Sequence, residues 1–171
     1  MRAGAAGGVV AGVLLLVACG NPAPINTSAV NLLLGKPDTG GWAVEVQQLA
    51  NSFGSKEAAK GVVSPGDGTY VDLTVYVFRS TSDAQTGYGN VRAFLRSGGY
   101  TAQGRCGAPG FSTCDVSAGL GDESLVGWSD SGTMVLLWRR DNVVASAIGP
   151  IGDNVRVVAS EQEGKIDRSR T

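Results

Sequence analysis

From Tyr70 to Phe78 (YVDLTVYVF) the side chains alternate without a break. Val71, Leu73, Val75 and Val77 fall on one side of an extended chain, and Tyr70, Asp72, Thr74, Tyr76 and Phe78 on the other, which predicts a strand with an aliphatic face. The period then lengthens: Ala84, Tyr88, Val91, Phe94 and Leu95 recur at helical spacing until Gly98-Gly99. A helix is predicted there, opened by Ser80, whose hydroxyl can accept from the Asp83 amide while the Asp83 carboxylate answers it. Further on, Ser124 to Trp128, Thr133 to Arg139 and Val143 to Ile148 read as short strands joined by turns at Ser129 to Gly132 and Arg140 to Asn142. Pro150 to Gly152 ends this meander, and Asp153 is placed to cap a last helix carrying Val155, Val158, Ala159, Gln162 and Ile166.

Nearer the start, Trp42, Val46, Leu49, Ala50 and Phe53 share a helical face, so Trp42 to Phe53 is predicted as an amphipathic helix, although Val44 and Val46 also alternate as in a strand. Pro65-Gly66-Asp67-Gly68 is turn chemistry. Together these elements predict one α+β domain, an antiparallel β-sheet packed with helices.

The first 31 residues follow a different pattern. Arg2 precedes an apolar run, Val9 to Val17, that is far shorter than the about 20 residues of a membrane-spanning helix and fits a secretory signal. Leu16-Val17-Ala18-Cys19-Gly20 resembles the bacterial lipobox. The resemblance implies a signal peptide over 1–18, diacylglycerol on Cys19 and further acylation at the new amino terminus, hence a membrane anchor on the extracytoplasmic face. Two or more acyl chains hold a protein stably at a bilayer where one does not. Residues 19–31, polar and broken by Pro22 and Pro24, read as a tether, with the folded domain over 32–171.

Composition narrows the chemistry. Among 171 residues there is no histidine, which removes Ser-His-Asp and Cys-His nucleophiles and His-ligated zinc. The net charge of -1 offers no basic excess to attract nucleic acid. With Cys19 assigned to lipid, Cys106 and Cys114 remain of the three cysteines. They bracket a glycine-containing loop in a chain read as exported, so they are expected to form a disulfide; their spacing is not the Cys-x-x-Cys of a redox dithiol, and a metal would need further ligands.

Two features invite a functional reading. Gly119-Leu120-Gly121-Asp122-Glu123-Ser124 has adjacent carboxylates that would serve as acid and base if aimed into one cleft, but consecutive residues on an extended chain point to opposite sides, which favours a structural turn. Ser124 has no base to activate it. No catalytic residue, metal or cofactor is therefore expected. The second feature is a set of large side chains, Tyr76, Trp128, Met134, Leu136 and Trp138, whose positions allow one shared sheet face opposite the aliphatic row. They line an apolar ligand cleft if that face is open and a second core if a helix covers it.

The turn leading to Gly41-Trp42, the junction Val75 to Ala84 (VYVFRSTSDA), Gly119 to Glu123 (GLGDE) and Val135 to Ala145 (VLLWRRDNVVA) resemble actinobacterial lipoproteins. That group takes in the LpqN-type lipoproteins and the extracellular sensor domains of PknH-type kinases, with folds similar to Mog1 and PsbP proteins. The resemblance spans most of Trp42 to Ile166. It implies an α/β/α sandwich and a non-catalytic role, binding an envelope lipid, another apolar ligand or an envelope protein.

Overall fold

In the computed structural model, which describes residues 23–66, 68–100 and 118–170, six strands form one antiparallel sheet. β1 (Ala43–Leu49), β2 (Glu57–Ser64) and β3 (Val71–Val77) make one meander, and β4 (Glu123–Trp128), β5 (Thr133–Arg140) and β6 (Val143–Pro150) make another. The sheet order is β1-β2-β3-β6-β5-β4, so the last strand of each meander lies at the centre and they pair with each other. A short helix α1 (Ala29–Leu32) precedes β1, α2 (Thr81–Ser97) follows β3 and α3 (Asp153–Arg168) follows β6. α1 and α3 cover one face, α2 the other, giving the α+β sandwich expected.

β3 is central in the sheet, and its aliphatic row is buried because it faces α1 and α3. α2 begins as predicted: Ser80 Oγ accepts from the Asp83 amide at 3.1 Å. α3 starts one residue off the prediction, with Gly152 at the cap position and Asp153 inside the first turn, where its charge complements the helix dipole.

Trp42 to Phe53 is not a helix. Its centre is the edge strand β1, and every residue of β1 has a partner on β2, from Ala43 opposite Ser64 to Leu49 opposite Ala58. The β-branched Val44 and Val46 favour that outcome, and a sheet partner overrides the helical offsets. β2 itself has no sequence signal: Ala58, Ala59, Lys60 and Gly61 are poor strand formers, held extended by neighbours on both sides.

The domain also starts earlier than Leu32. Ile25 and Ala29 are buried in the main core, so residues 25–31 belong to the body rather than to a tether. Their backbone is held by side chains from distant parts of the chain. Asn142 Oδ1 accepts from the Ile25 N–H at 2.7 Å, and its Nδ2 donates to Ile25 O at 3.0 Å. On α3, Gln162 accepts from the Leu34 N–H and donates to Leu32 O, while Lys165 Nζ donates to Leu33 O.

Candidate functional site

A cleft of about 470 Å³ opens where this N-terminal segment crosses the end of β3. Pro24, Ile25, Asn26 and Thr27 form one wall, Val77, Phe78 and Arg79 another, with Lys56 and Asn142 completing the lining. The walls follow from ladder geometry. The Lys56 N–H donates to Val77 O at 2.8 Å just beyond the β2–β3 pairing, which sets Lys56 beside the β3 terminus. Asn142 sits in the two-residue turn between β5 and β6, after Asp141 takes a left-handed φ of 51°. Its Nδ2 also donates to Phe78 O at 2.9 Å, so one buried amide joins the N-terminal wall to the β3 wall. Ile25, Val77 and Phe78, each at most 3% exposed, are the buried part of the lining; Lys56 and Arg79 are exposed at its rim.

A charged cluster occupies the ends of β4 and β5 near the C-terminus of α3. Asp122 accepts from the Asp141 N–H at 2.7 Å and lies 3.3 Å from both Arg139 and Arg140. Glu123 lies 3.5 Å from Arg139, so the adjacent carboxylates meet one guanidinium instead of pointing to opposite sides. The positive φ of Gly121, 58°, turns the chain before β4 and makes this possible. Arg140 Nε donates to Glu163 Oε1 at 2.6 Å. Burial pushes the Glu163 carboxyl above its ordinary range more than Arg140 and the Trp138 indole pull it down. Each carboxylate here is tied to an arginine, a structural arrangement, and Ser124 is engaged as an acceptor for the Leu120 N–H.

The large apolar side chains are distributed differently from the expectation. Val75 pairs with Ala145, which pairs with Trp138, so Trp138 lies on the same face as the aliphatic row. Leu136, Met134 and Trp128 follow on that face, all buried under α1 and α3, with Trp138 at 0% exposure. Tyr76 is on the opposite face, and it meets Phe53 edge-on at 5.6 Å between ring centroids. Phe53 in turn lies 5.5 Å from Phe94, which is 61% exposed. The five residues therefore make no shared cleft. Lys56 and Arg79 carry no local signal in the sequence, and Asn142 signals only a turn, because the cleft joins segments more than a hundred residues apart.

Cys19, Cys106 and Cys114 lie outside the described residues. Among the described residues no group of three or more His, Cys, Asp or Glu side chains is placed to hold a metal ion, and no helix is long and apolar enough to cross a membrane.

No family model and no curated protein matches the sequence. The structure is similar to the crystal structure of the extracellular domain of PknH from Mycobacterium tuberculosis, with a TM-score of 0.50 and 12% sequence identity over 86% of this chain and 100% of that one. That likeness is one of fold: a six-stranded antiparallel sheet between helices, here with a cleft at the C-terminal end of β3.

Proposed function

We propose that this protein is a non-catalytic binding domain on the extracytoplasmic face of the membrane, anchored by lipid on Cys19, with the cleft between Pro24–Thr27 and Val77–Arg79 as its ligand site. The observation that carries the reading is the cleft itself. Its volume of about 470 Å³ is within the range of small-molecule sites, and Asn142 fixes both walls. A fold shared with an extracellular domain and the lipobox-like Leu16 to Gly20 support the location.

Native mass spectrometry of the chain purified from membranes is expected to show a bound small molecule that a cleft-filling Thr27→Trp variant lacks. Cys19→Ser is expected to leave the membrane fraction or to stay unprocessed. A wild-type protein with no bound mass would sink the cleft reading and leave the exposed Phe94 and its partner Phe53 as the binding feature of a protein-docking accessory factor. That second reading draws support from Phe53, a bulky residue held at a φ of 55°.

A further inference from the structure

The charge on the cleft and its position along the chain specify the ligand further. The lining contains Lys56 and Arg79 and no carboxylate. Glu57 Oε1 stands 3.8 Å from Lys56 Nζ, a half-exposed pair of little strength, and Glu57 Oε2 accepts from the Ala29 N–H at 3.1 Å. Arg79 has no ion pair among the described residues. Two cations on a lining without a carboxylate complement an anionic group. The first lining residue, Pro24, follows Cys19 by a stretch that cannot exceed about 18 Å even when fully extended. A lipid on Cys19 therefore keeps the cleft beside the head groups of its own leaflet.

We infer that the cleft takes the phosphate head group of an anionic membrane lipid, with the phosphate between Lys56 and Arg79. The inference rests on the reading of this cleft as the ligand site. The phosphate is the chemistry recognised; a lipid head group and inorganic phosphate share it, and the test separates the two sources.

The test is flotation of the full chain carrying Cys19→Ser on vesicles of phosphatidylcholine alone or mixed with phosphatidylglycerol. The apolar run near the N-terminus is present in every variant and cancels. Phosphatidylglycerol is expected to raise the bound fraction, and Lys56→Gln and Arg79→Gln are each expected to cut that gain about fivefold, the effect of one cation at an anionic surface. Lys36→Gln, exposed and outside the lining, is expected to leave it unchanged. An equal loss with Lys36→Gln overturns the inference, because a diffuse field would then explain the attraction. No preference for phosphatidylglycerol, together with protection of the protein by inorganic phosphate, overturns the lipid assignment in favour of a soluble anion. If flotation fails while native mass spectrometry still shows a cleft ligand, the head-group inference falls and the cleft reading stands; if both fail, both fall.

Discussion

Asn142 performs the work of three backbone partners. It satisfies Ile25 N–H, Ile25 O and Phe78 O, all away from water, and so makes the cleft and closes the core at once. Asn142→Ala leaves these groups unpaired, and a loss of about 2–3 kcal/mol is expected from urea unfolding, together with lost hydrogen-exchange protection at Ile25. Nothing in its local sequence announces this. Arg140-Asp141-Asn142 has hairpin-turn composition, and the partners of the Asn142 amide lie 117 and 64 positions away. The short-range signals that turn residues emit were legible here and correct; the long-range use of one of them was not. Trp138 teaches the same lesson for the sheet. Alternation within β5 groups Met134, Leu136 and Trp138, but which face of β3 they join depends on register through β6.

Elements were legible in proportion to their local periodicity. β3, α2 and the β4–β6 meander carry strong alternation or helical spacing, whereas β1 and β2 are held extended by neighbours and read as helix or as nothing. α2 contains a case where packing and propensity conflict. A Cβ at Gly87 would run into the ring of Phe78, while one at Gly89 meets open space. Alanine improves helix propensity at both positions by about 1 kcal/mol, but overpacking costs about 1–3 kcal/mol. Gly89→Ala is therefore expected to stabilise the protein and Gly87→Ala to destabilise it, with thermal midpoints moving in opposite directions. Equal shifts would mean that α2 does not lie on Phe78 as described.

Over the whole molecule, the N-terminal segment and α3 are coupled electrostatically. Asp38 Oδ2 accepts from Lys165 Nζ and from the Gly35 N–H, each at 2.8 Å. Burial alone would raise the Asp38 carboxyl, but Lys165 and the Gly35 amide outweigh it and hold it below its ordinary value. A depressed carboxylate stabilises the folded state above its unfolded pKa, and that stability is lost as pH falls through the folded value. Asp38→Asn is expected to cost about 0.5–1 kcal/mol at neutral pH, with the difference from wild type vanishing in acid, as read from urea midpoints across a pH series. Glu163 works in the opposite sense, since its raised carboxyl favours the folded state at low pH and loses that contribution as pH rises through the folded value. The α+β class was readable because it sums many local patterns. The cleft was not, because it exists only when Pro24–Thr27, the end of β3 and the β5–β6 turn meet.

That meeting also sets an order in time. The backbone groups of Ile25, Leu32, Leu33 and Leu34 are paired with Asn142, Gln162 and Lys165, between 117 and 132 positions later. In a chain made from its N-terminus, the first segment of the fold must wait for nearly the last before it can be fastened. Until then one wall of the cleft is missing, so an incomplete chain lacks the cleft, and its presence marks a finished molecule.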